Sequence, residues 1–286
     1  APAAHEVDFL ARHAAAELAG RAGAIKRSFR IAADAGSYHG VMARALKESI
    51  GEIGVLSLSC ALPLAEACPM PRAVASEEAL PLKEASLDLI TSVLSLHLVN
   101  DLPGALIQIR RALRPDGLFL GALLGGDSLI ELRQAFTMAE IETAGGVSPR
   151  VFPAADVRDM GGLLLRAGFA LPVADSERLT VTYADPLALM RELKAMGAAN
   201  PLTGRSRKPL RRDTLARAAA LYSERFSEPS GRVRATFEIL YLCGWAPHES
   251  QQKPLKPGSA AVRLADALGT REIPAGGKAG FRDGGN

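Results

Sequence analysis

Residues 29–40 read FRIAADAGSYHG, a short apolar run that ends in Asp34-Ala-Gly36. This pattern predicts a buried strand that feeds a tight turn, with a helix over 38–50. Open parallel sheets bind ligands at the carboxyl ends of their strands, where glycine lets the backbone approach a nucleotide closely. Asp34, Gly36 and Gly40 are therefore candidate ligand contacts. The G-x-x-x-G spacing differs from the dinucleotide fingerprint and no phosphate-loop lysine follows, which weighs against dehydrogenases and nucleoside triphosphatases.

Strands and helices alternate outward from this segment. Residues 101–113 carry their own helix start, with Asp101 as N-cap and Pro103 in the first turn. Strands that are nearly continuously apolar and separated by helices indicate right-handed βαβ units and a parallel sheet covered on both faces. Further strands are predicted at 54–60, 72–76, 87–96, 117–124, 170–183 (a strand pair or one bent strand) and 233–245. Further helices are predicted at 5–24, 128–143, 157–167, 186–196 and 212–226.

The composition is that of an ordinary globular protein. The 286 residues are 48% hydrophobic and 23% charged, which excludes a disordered tail, a collagen-like fibre and a disulfide-stapled miniprotein. The net charge of +3, from 34 Lys+Arg against 31 Asp+Glu, does not call for nucleic acid or a membrane as partner. Three scattered cysteines (Cys60, Cys68 and Cys243) encode no disulfide framework. No apolar run approaches the roughly 18 residues of a membrane span, and peripheral membrane association stays open.

We expect one large domain with inserted segments. An N-terminal helix is assigned to 1–27, the domain to 28–269, and a flexible Gly-rich tail to 270–286. Acidic residues among the first thirty argue against an intact transit peptide, and a removed one stays open. Two compartments therefore remain: the bacterial cytoplasm, or the mitochondrial matrix if the N-terminus is a processed one.

Three motifs occur in the order of three successive βα units, namely EALPL at 78–82, LDLI at 87–90 and LRPDG at 113–117. As a set they resemble the class I S-adenosylmethionine-dependent methyltransferases, whose pattern runs E-A-L-P-F, F-D-[LV]-[VI] and L-[KR]-P-G-G. A closer resemblance covers almost the whole chain. It is to a subfamily of alphaproteobacterial proteins and mitochondrial complex I assembly factors that hydroxylate an arginine, with the malonyl-carrier-protein methyltransferases of biotin synthesis as more distant relatives. The segments that carry it are SLHLVNDLP (95–103), GGDSL (125–129), GGVSP (145–149) and GWAPHESQ (244–251).

The resemblance implies an α/β fold: a Rossmann-like seven-stranded sheet with an antiparallel last strand and helical lid insertions at about 128–150 and 186–230. It implies S-adenosylmethionine as cofactor and a protein or other macromolecule, such as a respiratory-chain subunit, as substrate. Methylation and arginine hydroxylation are both open as the reaction. The alternative is a non-catalytic assembly protein that kept the fold.

On this resemblance, the turn after the first strand wraps the methionine end of the cofactor, which assigns Asp34, Gly36 and Gly40 to cofactor binding. The segment that follows the fourth strand is expected to line the same cavity. Its candidate contacts are Ser92, Leu94 and His97.

Two departures from the family's pattern weaken the predicted cofactor site. The acid that usually ends the second strand and accepts the ribose hydroxyls is absent, and Ser57 and Cys60 lie in that stretch. The Asp expected beside the third strand is Ser76, which leaves Glu77 as the substitute partner of the adenine amine. Charge-assisted hydrogen bonds are worth roughly 1.5–3 kcal/mol, against about 0.5–1.5 kcal/mol for neutral ones. Losing two acids would therefore weaken cofactor binding by about one to a few powers of ten.

The candidate catalytic residues are His97 and Asp127. Methyl transfer needs positioning more than acid chemistry, and a base helps only when the nucleophile must lose a proton. Each has a structural alternative, since His97 could be a hydrogen-bonded structural residue and Asp127 a helix N-cap. His248 and Glu249 lack a second histidine cluster at ligand spacing, so no metal site is predicted.

Two other segments keep open alternatives. Residues 245–253 could gate the pocket or cap the edge of the sheet. The basic loop 204–212 could be a solvated loop, a docking site for an acidic protein or, least favoured for want of stacking aromatics, an RNA contact.

Overall fold

Seven strands form a single sheet in the computed structural model, which describes residues 7–37, 39–152, 154–198, 200–202, 204–206, 209–252 and 262–270. The strands are β1 (Ile31–Ala35), β2 (Gly54–Ser59), β3 (Arg72–Val74), β4 (Leu87–Val93), β5 (Leu113–Leu124), β6 (Ala170–Tyr183) and β7 (Val233–Trp245). Their order is β3-β2-β1-β4-β5-β7-β6, and β7 runs antiparallel to both of its neighbours. This confirms the predicted Rossmann-like class I methyltransferase sheet with an antiparallel last strand.

Helices cover both faces of the sheet. The buried residues of α1, α2, α5, α7 and α8 join one hydrophobic core, and those of α4 and α6 join a second core on the opposite face. The helices are α1 (Phe9–Ala24), α2 (Val41–Ile50), α3 (Leu62–Glu66), α4 (Leu102–Ala112), α5 (Ile130–Ala144), α6 (Val157–Arg166), α7 (Pro186–Ala195), α8 (Arg212–Phe226) and α9 (Leu264–Ala267). The chain divides into two compact units at residues 1–248 and 249–286, and α9 belongs to the second. No described helix is long and apolar enough to cross a membrane.

The central position of β1 sets the place of the candidate site. β1 lies between β2 and β4, and Asp34 pairs in register with Ser57 on one side and Thr91 on the other. All three strands run in the same direction, so their carboxyl ends meet at one edge of the sheet. α3 is only five residues long, as the short, proline-containing segment between β2 and β3 predicts.

Some element boundaries differ from the sequence-based ones. β4 ends at Val93, before the predicted 96, because Leu94 takes a left-handed conformation (φ 48°) and a turn of 3₁₀ helix follows at Leu96–Leu98. β5 begins four residues early, at Leu113, through an irregular pairing with β4. β6 is one strand with a register shift between Ala170 and Val173. The predicted tail falls almost wholly on 271–286, outside the described residues.

The predicted insertions contain α5, α7 and α8. α5 packs against α8 and β7, and all three helices join the hydrophobic core that α1 and α2 share. Their assignment as a lid over the carboxyl ends of the strands remains a prediction.

Candidate functional site

A cavity of about 300 Å³ opens where β1 and β4 end. Pockets of this size hold small organic ligands. Five chain segments build its wall: the turn after β1, the residue after β2, α3 through Leu64, the turn after β3 and the segment after β4. Most of the lining residues are Gly36, Ser37, Cys60, Ser76, Glu77, Glu78, Leu94, Ser95 and 98–100.

The turn after β1 requires glycine at position 36. Gly36 has a φ of 78°, which L side chains rarely adopt, and a Cβ there would overlap the Ser95 hydroxyl and lie 2.5 Å from Glu77 Oε1. Gly40 is also left-handed, with a φ of 66°, and a Cβ there would overlap the ring of Pro69. Gly36 therefore lets the chain pass close beneath two polar side chains, whereas Gly40 begins α2 away from the cavity wall.

Asp34 lies beneath this turn as a buried carboxyl group with only 1% of its surface exposed. The Thr91 hydroxyl donates to Asp34 Oδ1 at 3.2 Å, while Oδ2 has no hydrogen-bond partner. Burial raises the pKa of Asp34 to about 6, and the charge of Glu77 adds to this against the opposing hydrogen bonds of Ser37 and Thr91. A buried acid that is left partly unsatisfied near a cavity is a candidate functional residue, which keeps Asp34 as a prediction.

Glu77 places a second carboxylate at the cavity. It is 9% exposed, and the Ser95 hydroxyl donates to its Oε1 directly above Gly36. Glu78 differs, because its exposed carboxylate accepts the backbone N–H groups of Asn100 and, at 3.2 Å, of Asp101, which lowers its pKa. Glu77 is thus the buried charge of the wall, and Glu78 holds the segment after β4 in place.

The wall carries negative charge. Two carboxylates, Glu77 and Glu78, line the cavity, Asp34 lies below, and no lysine, arginine or histidine lines it among the described residues. A polyphosphate would meet like charges here without a cation to pair with. A cationic ligand would be attracted.

The predicted cofactor contacts fall into two groups. Gly36, Ser76, Glu77 and Leu94 line the cavity. Asp34, Ser57 and Ser92 are buried within their strands, and Gly40 lies at the start of α2. Ser92 of β4 is fully buried, and its hydroxyl has no hydrogen-bond partner.

Neither candidate catalytic residue lines the cavity. The His97 ring centroid lies 6.3 Å from that of Phe152, Nδ1 has no hydrogen-bond partner, and burial lowers the pKa of His97 to about 4. The Asp127 carboxylate pairs with Arg178, and the backbone N–H of Asp127 donates to Glu238 Oε2 at 2.9 Å. The N-cap interpretation of Asp127 is wrong, because α5 begins at Ile130.

At the two positions where the family usually has an acid, after β2 and after β3, this chain has serine hydroxyls that form hydrogen bonds with the backbone of nearby turns. The Ser59 hydroxyl at the end of β2 donates to the carbonyl of Ser37 at 2.7 Å, and Cys60 is exposed to the cavity. The Ser76 hydroxyl accepts the N–H of Glu78 at 3.2 Å. Neither stretch offers a carboxylate at the position where the family has one.

Ser95 is the functional candidate that the sequence missed. It fixes Glu77 across 18 positions of chain, and only its place inside the SLHLVNDLP motif could have pointed to it.

Trp245 and the described residues of the basic loop 204–212 lie away from the cavity wall. Trp245 pairs with Leu118, which is level with the start of β1, so it lies at the amino-end edge and cannot gate the cavity. In the basic loop, Arg205 donates to the carbonyl of Leu202 and Arg211 pairs with Asp213. The described part of the chain holds no group of three His, Cys, Asp or Glu side chains that could bind a metal ion.

Comparison with known proteins adds three kinds of finding. A family profile described as a methyltransferase domain matches residues 33–121. The chain is 41% identical over 263 residues to "Arginine-hydroxylase NDUFAF5, mitochondrial" of Danio rerio, covering 91% of this chain and 82% of that protein. It is 35% identical to a "Malonyl-[acyl-carrier protein] O-methyltransferase" of Xylella fastidiosa, covering 76% and 74%. The YcgJ protein of Bacillus subtilis shares the fold, with a TM-score of 0.57 at 14% identity over 82% of this chain and 99% of that one.

Proposed function

The chain belongs to the NDUFAF5 arginine-hydroxylase family of methyltransferase-fold enzymes, and we propose that it binds S-adenosylmethionine in the cavity at the ends of β1 and β4. The observation that carries this proposal is the acidic wall over a glycine turn. Gly36 lets Ser95 and Glu77 pack against the turn, where any side chain at position 36 would overlap them, and the carboxylates of Glu77 and Glu78 line a cavity to which no described cationic side chain contributes. S-adenosylmethionine is a net cation at neutral pH and, when bound, supplies an electrophilic methyl group on its sulfonium.

The chain's own residues have separate tasks in this proposal. Gly36 and Ser37 bring the backbone of the turn to the ligand, and Leu94 with Leu98 forms the apolar part of the wall. Glu77, held by Ser95, faces the positive charge. His97 does not line the cavity, and burial lowers its pKa to about 4, so it stays neutral at physiological pH and is a weak base there.

The substrate we propose is an arginine side chain of a protein, in the assembly of respiratory complex I. The printed name of the zebrafish relative supports arginine chemistry, and the malonyl relative supports methyl transfer to a carrier-bound acid. Hydroxylation and methylation are both within the proposal. The compartment we propose is the mitochondrial matrix, in line with the word "mitochondrial" in the name of that relative, or the cytoplasm of a bacterium.

A second candidate function is a non-catalytic assembly protein. The observation that favours it is the absence of both acids that normally hold the adenosyl group. Ser59 and Ser76 hold backbone turns at those places. On this alternative the cavity remains but the ligand is not bound.

Calorimetric titration with S-adenosylmethionine separates the two functions. We expect a dissociation constant tighter than about 100 µM. Gly36→Val, which must overlap Ser95 and Glu77, should abolish binding. Gly161→Val is the matched control, because a Cβ there meets nothing within 4 Å. No heat of binding up to millimolar ligand would favour the non-catalytic function.

A further inference from the structure

We propose that a basic groove along α5 binds an acidic segment of a partner protein. The groove lies between α5, residues 146–151 that follow it, and residues 209–211 that precede α8. Two adjoining cavities of about 360 and 290 Å³ form it, and they share Val147, Ser148 and Arg150. This inference goes beyond cofactor binding, because the groove shares no lining residue with the cavity at the ends of β1 and β4.

One stripe of α5 runs along the groove. Arg133, Thr137, Glu140 and Ala144 recur at intervals of three or four residues, which places them on the same face of the helix. From Arg133 to Ala144 the helix rises by about 16 Å. That is the length of about five residues of extended chain, whereas a small free anion would occupy one end of the groove. The shape therefore favours a peptide segment.

The groove is rich in arginine. Arg133, Arg150 and Arg211 line it, and Glu140 is the acid that lines it in the described part of the chain. Glu140 is buried and already accepts from Arg150 Nε at 2.6 Å and from the N–H of Ser148 at 2.7 Å. The groove therefore has the opposite charge to the acid-lined cavity at the ends of β1 and β4.

Arg133 supplies a charge that no carboxylate of the described residues offsets. Its Nη1 donates to the carbonyl of Gly126 at 3.1 Å and its Nη2 to the carbonyl of Ser128 at 3.2 Å. Neutral carbonyls orient a guanidinium and leave its positive charge in place. A guanidinium has further N–H donors, and these are well suited to a carboxylate of the partner.

The apolar part of the groove favours a peptide over nucleic acid. Val147 is 55% exposed, while Phe136 is only 7% exposed and offers no open ring face on which a base could stack. No tyrosine, tryptophan or histidine lines the groove among the residues that the structure describes. An exposed valine beside arginines is suited to a segment in which apolar and acidic side chains alternate.

The groove begins at the same edge of the sheet as the cavity. Gly126 and Ser128, which hold Arg133, follow the carboxyl end of β5, and β5 lies beside β4. At the other end of the segment, the ring of Phe152 lies 6.3 Å from that of His97, the residue before Leu98 of the cavity wall. A partner bound in the groove therefore lies beside the carboxyl ends of β4 and β5.

The test is fluorescence anisotropy with a labelled peptide of repeated Asp-Leu-Glu units and with its neutral counterpart of repeated Asn-Leu-Gln units. We expect the acidic peptide to bind about tenfold tighter or more, and to weaken as NaCl is raised from about 50 to about 300 mM. Arg133→Gln should weaken the acidic peptide by about tenfold. Arg30→Gln is the matched control, because Arg30 is exposed before β1 at the opposite edge of the sheet.

Val147 provides a second pair of variants, which tests the groove even if Arg133→Gln fails to fold. Because Val147 is mostly exposed, a charge there is tolerated by the fold. Val147→Asp should weaken the acidic peptide and Val147→Lys should strengthen it, while S-adenosylmethionine titrates both variants as it does the wild type. The two substitutions have opposite expected effects, so a general disturbance of the surface would not reproduce the pattern.

Three results would overturn the inference: equal binding of the two peptides, acidic-peptide binding that neither Arg133→Gln nor Val147→Asp changes, or tighter binding of polyuridylate than of the acidic peptide. The binding of S-adenosylmethionine is a separate measurement. Its absence would count against the proposed function, whereas binding of the acidic peptide to the groove would still support the inference.

Discussion

Asp34 lowers the stability of the ligand-free protein at neutral pH. Burial raises the pKa of its carboxyl group from 3.8 to about 6, so the folded protein keeps this proton between about pH 4 and 6 while the unfolded chain has lost it. The free energy of unfolding therefore falls as the pH rises through that window, by about 3 kcal/mol.

Asp34→Asn should consequently stabilise the ligand-free protein by about 1–3 kcal/mol at pH 8 and have little effect at pH 4. Urea unfolding of the wild type and of Asp34→Asn at both pH values measures this difference in stability. Asp88→Asn is the control of opposite sign: burial raises the pKa of Asp88, but the N–H groups of Arg30 and Ile31 and the guanidinium of Arg114 outweigh it. Asp34→Asn destabilising the protein at pH 8 would mean that the carboxylate is satisfied.

His97 contributes a pH dependence of the opposite direction. Burial lowers its pKa from 6.5 to about 4, so the unfolded chain takes up a proton between those values and the folded protein does not. The contribution of His97 to the free energy of unfolding is fully present above pH 6.5 and is lost as the pH falls towards 4.

Between pH 7 and pH 4, the wild type should lose about 3 kcal/mol of unfolding free energy because of His97. His97→Gln should lack this part of the acid destabilisation. Unfolding free energies of the wild type and the variant across that range provide the comparison. Parallel profiles would show that His97 is solvated and accessible to protons in the folded state.

At the scale of elements, a buried ion pair ties the segment after α5 back to its helix. Glu140 is buried and accepts from Arg150 Nε at 2.6 Å and from the N–H of Ser148 at 2.7 Å. The segment continues towards His97 through Phe152. Its order is therefore linked to that of the loops beside the cavity.

Arg150→Met should cost about 3 kcal/mol of stability, because it leaves the Glu140 charge buried and unpaired. Arg217 of α8 forms an exposed ion pair with Glu142 of α5. Arg217→Met breaks this pair and should cost less than about 1 kcal/mol of stability. Thermal or urea unfolding of the two variants tests the difference. Equal losses would show that the Glu140 pair is screened by solvent.

The helix starts show what local sequence can predict. Asp101 was expected as the N-cap of α4, and its carboxylate accepts the N–H of Gly104 at 2.9 Å. The start of α5 was wrong by two residues, because Leu129 takes a left-handed conformation that nothing in its side chain signals. A capping side chain is a local signal, whereas the conformation of Leu129 depends on the loop around it.

For the whole molecule, binding should appear as added stability. A ligand that binds only the folded state adds about 2.7 kcal/mol at a hundredfold excess over its dissociation constant. We expect S-adenosylmethionine to raise the melting temperature by several degrees. Gly36→Val should show no such shift, and a shift that survives in this variant would place the ligand elsewhere.

The sheet was predictable from the sequence because apolar runs and helix signals alternate regularly from Ile31 to Leu124. The antiparallel last strand was implied by the family resemblance, and the strand order is seen only in the structure, since pairing partners are not encoded locally. The site was predictable only in part. Gly36 is predictable because a glycine directly after a short strand is a local signal of a turn. The contact of Glu77 with Ser95 is not local, because it forms only when β3 and β4 end at the same edge of the sheet.

The central claim is that an adenosyl sulfonium occupies the cavity over Gly36. A crystal structure of the protein grown with S-adenosylmethionine tests it most directly. We predict density for the ligand in the cavity lined by Gly36, Glu77 and Leu98. A cavity that stays closed by Glu77 and Ser95 at saturating ligand, or a ligand bound away from β1 and β4, would contradict the account.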